Sequence, residues 1–490
     1  CLSRGLGDVY KRQAVYNLIG IFMKSMRKNT WLPLIGLRTF LFVTTAFTIV
    51  SCSDDKGEDG YNPNLPVRIS ELSPQEGGYF DKVILQGENF GNNPKKVRVF
   101  FNKKEAIVVG ASGDRVLVHV PKLPGDDCKI GMLLNGNTTD TIFAEKHFAY
   151  EKNYQLIYVA GQLNSNTETF VEGSLETTTF ANSMQHLACD PSGVIYMNHK
   201  NTGQSGSLIY INEPENYSKF LDYGASTENG GSPSTPYYDD KTEKVYFCAH
   251  HAPFFWEVDP KDSWSFVKRK LIAPDASYQA KGYRPVPSGQ KLEYMCSYAR
   301  ATDANGESFI YCRTWQGQFF RFKLEDRVYD YVTTFAKSDA CLATDPDDPT
   351  KIYCALNEYN KITCIDLTKN PEDSGFETDV CGIQGPGAYQ DGHVSVARLN
   401  NPQQILSMHD PETGEKVIYI CDANNNCVRM YNMETKLMST VAGIGGKSGY
   451  AAGNPTVSRM NRPYGICITP ENDIYVADAG NKVIMKLAFM

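Results

Sequence analysis

The chain has 490 residues, of which 41% are hydrophobic and 21% charged, with a formal net charge of −7. That length accommodates two or three domains and the balance is that of an ordinary folded protein, while the lack of any long Lys/Arg tract argues against nucleic acid as a partner. The 29 Tyr, 24 Phe, 40 Gly and 25 Pro favour many short strands joined by tight turns.

In chain order, residues 1–61 read as processing and tether rather than fold. Residues 1–13, CLSRGLGDVYKRQ, resemble translated adaptor sequence, so 1–22 is read as spurious upstream sequence, with the start at Met23 or Met26. Lys24, Arg27 and Lys28 then form a positive segment ahead of an apolar stretch from Trp31 to Val50. Its uninterrupted part, Thr39 to Val50, is shorter than the ~20 apolar residues a bilayer span takes. The stretch ends in Ile49-Val50-Ser51-Cys52, which resembles a bacterial lipobox: a small residue before the cut and a thiol after it to carry lipid. Residues 23–51 are thus read as a lipoprotein signal peptide and Cys52 as the lipidation site. The competing reading is an uncleaved membrane anchor with an incidental Cys. Residues 52–61 form an acidic tether, and its SDDKGEDG run resembles the signal that sends lipoproteins of the Bacteroidetes to the outer face of the outer membrane. The resemblance implies a surface-exposed protein that meets the membrane through acyl chains.

Residues 62–150 alternate apolar and polar residues in short bursts, as half-buried strands do. Val83-Ile84-Leu85, Val97-Arg98-Val99-Phe100 and Val116-Leu117-Val118-His119-Val120 are the clearest. Ser73-Pro74, Gly77-Gly78, Ile84, Gly87 and Asn89-Phe90-Gly91 together resemble the IPT/TIG domain. That implies an immunoglobulin-like β-sandwich, in which the glycines allow positive φ and Phe90 plugs the sandwich end. Modules of this kind serve as spacers or protein-contact surfaces.

Residues 151–490 repeat one unit. Tyr196, Tyr246, Tyr311, Tyr353, Tyr419 and Tyr475 each follow a branched apolar residue on a short strand, 42 to 66 residues apart, a spacing that fits one four-stranded propeller blade. Two copies resemble the NHL repeat: Ala397-Arg398-Leu399, Pro402, Tyr419, Asp422 and Asn425, then Pro463-Tyr464-Gly465, Tyr475, Asp478 and Asn481. Tyr158-Val159-Ala160-Gly161 repeats the Val-Ala-Gly ending of Thr440-Val441-Ala442-Gly443, so the N-terminal segment is expected to complete the last blade and remove an open sheet edge. The expected fold is all-β: an IPT/TIG sandwich followed by a six-bladed NHL-type β-propeller.

Cysteines are numerous at 14, and an exported chain invites a disulfide framework. However, Cys312 and Cys354 follow the repeat Tyr directly and Cys248 and Cys421 stand one residue later, so cysteine is filling small buried strand positions. No Cys-x-x-Cys pair exists for a zinc ribbon. Cys421 and Cys427 could pair across a turn.

In a propeller, innermost strands start and second strands end on one face, where ligands meet the central channel. That face is expected to carry His186, His199, His250, His251, Arg313, Trp315 and the run Asn357 to Tyr359, with Asp422 and Asp478 nearby and His393 possible from the loop entering the fifth repeat. One reading is non-catalytic: the face binds a glycan, as in a polysaccharide-capture system, or a surface protein, with Trp256, Tyr237, Tyr238, Trp315 and Tyr359 as stacking platforms. The alternative is a metal-dependent lyase or hydrolase, with zinc or calcium held by His186, His199 and His250 as in NHL-type lyases. No cofactor is required by the first reading, and no catalytic residue is assigned. Asp422 and Asp478 have a plainer role, closing turns onto backbone N–H groups.

Overall fold

The structure, a computed structural model, describes residues 60–122, 125, 127–134, 140–151, 154–163, 165, 169–181, 184–199, 207–221, 235–248, 253–411 and 413–489. The lipobox and Cys52 lie outside the described residues, as do His250 and His251. Among the described residues no helix is long and apolar enough to cross a membrane.

The first module is a sandwich of a seven-stranded and a three-stranded sheet. Alternate residues face inward, so Val83 pairs with Val118 and Leu85 with Val116 while all four are fully buried. Phe90 caps this core at 2% exposure. The two glycines beside it serve different needs. Gly91 takes φ +79°, in the left-handed region, as the turn was expected to require. Gly87 is instead needed for close approach, since a Cβ there would lie 1.9 Å from the Arg68 carbonyl oxygen and 2.5 Å from the Phe90 ring.

Six further sheets follow in a ring. The innermost strands are Met184–Cys189, Tyr237–Asp239, Met295–Thr302, Ala340–Thr344, Pro402–His409 and Pro463–Ile468. Each neighbours the next around the ring. Every repeat Tyr lies on the second strand of its blade. In four blades its hydroxyl ties that strand to the turn before it: Tyr196 donates to Asp190 (2.9 Å), Tyr246 to Thr242 (3.0 Å), Tyr353 to Asp345 (2.5 Å) and Tyr419 to Asp410 (2.7 Å). By contrast, Tyr311 accepts from Arg321 and Tyr475 donates to Glu213 of blade one. In those four blades the Tyr is thus a structural device, holding the inner hairpin through its hydroxyl. Blade five carries an extra outer strand, Gly392–His393.

Closure runs through Tyr154–Gly161, which pairs antiparallel with Val483–Phe489 from Tyr154 opposite Phe489 to Gly161 opposite Val483. The shared Val-Ala-Gly ending has a steric cause. Gly161 (φ +104°) and Gly443 (φ +89°) each press on the backbone of the hairpin beside them, where a Cβ would come within 2.4 Å of the Lys482 oxygen or 2.6 Å of the Asn426 oxygen. The oxygens belong to left-handed residues, Lys482 (φ +59°) and Asn426 (φ +57°), at the same place in the two blades.

The sandwich and propeller belong to one compact unit. Lys122 of the sandwich pairs with Asp473, on the turn between the first two strands of blade six. Asp473 also lies 3.8 Å from Lys486, whose ammonium donates to both carboxylate oxygens of Glu213 at 2.7 and 2.8 Å. Because inner strands end at these turns, the sandwich meets the propeller on the face opposite to where those strands begin.

Candidate functional site in the propeller mouth

The inner strands begin at one end of the ring, and their first residues surround a cavity of about 510 Å³. Blade one contributes Gln185 and His186, blade three Met295 and Cys296, blade four Asp339 and Glu358, blade five Asn401 and Gln403, and blade six Arg462 and Tyr464. The volume falls in the range of ~300–1,000 Å³ typical of small-ligand pockets.

A buried side chain links the strands beneath the mouth. Gln404, on the inner strand of blade five, accepts hydrogen bonds from Leu187 N (2.8 Å) in blade one and Ile466 N (3.0 Å) in blade six, and donates to the Leu187 oxygen (2.7 Å). Three inner strands are thereby joined across the ring.

The lining is built by repeated local geometry. Residues directly before the inner strand are left-handed in three blades: Tyr294 (φ +59°), Asn401 (φ +58°) and Arg462 (φ +55°). In two of them the preceding blade supplies a clamp, since Asn401 N donates to Asn360 Oδ1 (2.6 Å) and Arg462 N to Asn426 Oδ1 (3.0 Å). Backbone strain of this kind, on the order of 1–3 kcal/mol per residue, persists where surrounding contacts over-determine it. Here it fixes the stems of two side chains that line the cavity.

Charges are distributed unevenly around the mouth. Glu358 accepts from Trp315 Nε1 and from Asp339 N, both at 2.9 Å. Asp339 is accessible from the cavity but enclosed on its other sides, and this enclosure, with the neighbouring Glu358 carboxylate, holds its carboxyl above the usual range. Arg462 donates to the Tyr464 hydroxyl (3.2 Å) and lies over its ring. His186 is half-buried; its Nδ1 lies 3.1 Å from Thr235 Oγ1, and its Nε2 is buried without a hydrogen-bond partner. Desolvation pushes the imidazole down to about 4, so it is neutral at pH 7.

The residues expected at this face divide sharply. His186 lines the cavity and Trp315 stands beside Glu358 at 37% exposure. His199 does not join them: it is fully buried, its Nε2 accepts from Ala181 N (2.9 Å), and Phe170 and Phe180 flank its ring. An Nε2 engaged this way is not free to ligate a metal. Arg313 is also fully buried, donating to the Ala336 oxygen (3.0 Å) and Glu377 (3.3 Å), so it ties blade three to blade four. Trp256 packs between blades at 8% exposure against Phe254 and Phe266, and offers no stacking face. Tyr237 bonds Asp239 within blade two, Tyr238 packs into the core shared by blades one and two, and Tyr359 packs into the core shared by blades three and four. His393 sits on the outermost strand of blade five, away from the mouth, because the loop entering that blade adds a strand first.

Asp422 and Asp478 are structural, but they do not hold backbone N–H groups of the turns that follow them. Each accepts from the segment entering its blade's inner strand, at Asn400 N (2.8 Å) and Asn461 N (2.7 Å), and from the side-chain amide of Asn425 or Asn481. Cys421 and Cys427 are both buried free thiols. Among the described residues no three His, Cys, Asp or Glu gather as metal ligands.

Sequence reasoning placed His186 and the run Asn357 to Tyr359, with Glu358, at this face but missed Gln185, Asp339, Asn401, Gln403 and Arg462. It selected by residue type, favouring His and aromatics at the ends of second strands. The usable signal was position: all five stand at the start of an inner strand, with Asp339, Asn401 and Arg462 directly before it and Gln185 and Gln403 as its second residue.

Comparisons with known proteins bear on the fold. Residues 66–150 match the IPT/TIG domain model. A stretch of 161 residues, 32% of this chain, is 23% identical to human NHL repeat-containing protein 2 and covers 22% of it. The chain spans only 8 to 22% of the length of the curated relatives it matches. An auxiliary nutrient binding protein from Bacteroides ovatus ATCC 8483 superposes with a TM-score of 0.59 at 19% identity, over 88% of this chain and 99% of that one. Another of that description, from Bacteroides thetaiotaomicron VPI-5482, gives 0.55 at 22% identity over 88% and 100%. At such identities the likeness is one of fold: an IPT/TIG immunoglobulin-like sandwich followed by an NHL-type six-bladed propeller.

Proposed function

We propose that this chain is a non-catalytic binding protein of the cell surface, held to the outer membrane by lipid on Cys52, whose propeller mouth captures a glycan. One observation carries the reading: amide, carboxylate, guanidinium and imidazole groups from four blades converge on one cavity, with Trp315 at its edge. Polar groups converging in a concave site are what orients a small polar ligand, and an exposed indole offers a face for a sugar ring. The nutrient-binding description carried by two structural neighbours supports a binding role. The junction through Lys122 and Asp473 supports display, because the mouth then points away from the sandwich.

Glycan-panel binding with the intact chain tests this. Retention of a saccharide that is lost in Trp315→Ala and Gln403→Ala is expected. If no saccharide binds and crosslinking instead recovers a protein held at the mouth, the glycan reading fails. The anchor is tested separately: Cys52→Ser should move the protein from the membrane fraction to the soluble one.

A further inference from the structure

Asp339, Glu358 and Arg462 all line the same cavity, yet none has an ion-pair partner among the described residues. The two carboxylates stand together on blade four, joined by the hydrogen bond from Asp339 N to Glu358 Oε2. The guanidinium stands on blade six, pinned at its backbone by Asn426. Between them, blade five contributes Asn401, Gln403 and Asn424. The mouth is therefore bipolar: a double-negative end, an amide-lined middle and a single positive end.

Such an arrangement discriminates by charge pattern. A neutral ligand would displace water from three charged groups without replacing their hydrogen bonds, which costs affinity. A purely anionic ligand would meet Asp339 and Glu358, and a purely cationic one would meet Arg462. A ligand carrying both signs at opposite ends satisfies all three. The middle favours a saccharide over a peptide, because primary amides offer a donor and an acceptor side by side, matching hydroxyls on a ring.

We propose that the mouth takes a zwitterionic saccharide, with a protonated amino sugar at Asp339 and Glu358 and a uronate carboxylate at Arg462. This rests on the glycan-binding reading above and narrows it. Arg462 suits a carboxylate because its planar fork donates two parallel hydrogen bonds. Glu358 is held ready by Trp315 and by the backbone of Asp339, so little ordering remains to be done on binding.

The test is calorimetric titration of the purified chain with hyaluronan tetrasaccharide before and after N-deacetylation. The two differ only in whether the amino sugars carry free amines. The deacetylated form should bind at least about tenfold more tightly. That preference should vanish in Glu358→Gln and in Asp339→Asn, while Arg462→Gln should weaken both forms by about tenfold. Thermal melts of the three variants check that they fold. Equal binding of the two forms, no binding of the deacetylated form, or a preference that survives Glu358→Gln overturns the proposal. A neutral cello-oligosaccharide that binds as tightly, and is lost in Trp315→Ala, overturns the charge assignment but leaves the glycan reading standing. Binding of a short peptide in place of every saccharide overturns both.

Discussion

The side chain of Gln404 holds both backbone groups of Leu187, accepting from its N–H at 2.8 Å and donating to its oxygen at 2.7 Å, across 217 residues of sequence. Gln404 Oε1 also accepts from the N–H of Ile466 at 3.0 Å. One amide thus does what a strand partner would do for inner strands that are too splayed to pair. Gln404→Ala leaves these three buried backbone groups unsatisfied. At ~1–3 kcal/mol for each unsatisfied group, with partial relief by water, the expected loss is about 2–4 kcal/mol, read as a lower urea midpoint. Gln404→Glu keeps the acceptor but sets a buried carboxylate oxygen against the Leu187 oxygen, so it should be destabilising as well.

Asp478 is fully buried, and burial raises its carboxyl to about 7 against the pull of the Asn461 N–H and the Asn481 amide. Asp422 is raised less, to about 6, because Arg429 lies 2.8 Å away. Both folded values lie above the ~3.9 of an unfolded Asp. The folded chain therefore keeps protons that the unfolded chain releases. The stability this contributes is full below pH ~4 and is lost as pH rises through 6 and 7. Asp478→Asn should flatten that decline, gaining on the unmodified chain by roughly 2–3 kcal/mol between pH 5 and pH 8. Unfolding midpoints at four pH values decide it; parallel curves for the two proteins would refute the assignment.

Two tryptophans should respond oppositely. Trp256 is packed between blades, so Trp256→Ala creates a cavity costing ~3–5 kcal/mol. Trp315 is 37% exposed, so its replacement by Ala should cost below ~1 kcal/mol while weakening binding at the mouth. Denaturation and ligand titration on the two variants separate structure from recognition.

Cys421 and Cys427 are free thiols, and burial raises both well above the ordinary range. A reducing agent should leave the melting temperature unchanged. Cys421 and Cys427 should react with a thiol reagent only once denaturant is added. Fast modification of either in the folded protein, located by peptide mapping, would contradict this.

Much of the architecture was legible because it follows from local pattern. Alternation at Val83 and Leu85 predicts a sandwich strand with one buried face, and the six tyrosines mark six second strands. The Val-Ala-Gly ending was readable as a closure signal because the same steric contact recurs wherever an outer strand passes a left-handed residue, at Gly161 as at Gly443. A structural role for Asp422 and Asp478 was readable, but not their backbone partners, Asn400 N and Asn461 N, which stand 22 and 17 residues upstream.

The site was not legible in the same way. Nothing local distinguishes His186, which lines the mouth, from His199, which is buried behind it on the neighbouring strand of the same blade. Both follow the pattern of their strands, and which one meets the cavity depends on how the blades tilt and pack. The same holds for Arg313 and Arg462: the first is absorbed between two blades by Glu377, and the second is left facing the mouth. By itself the sequence determined the periodicity of the chain, and so its sandwich, its blades and their closure, because strand alternation and turn chemistry act between near neighbours. Only the tertiary structure decided which polar groups share one cavity, because that depends on residues from five blades, separated by up to 279 positions, brought to one end of a closed ring.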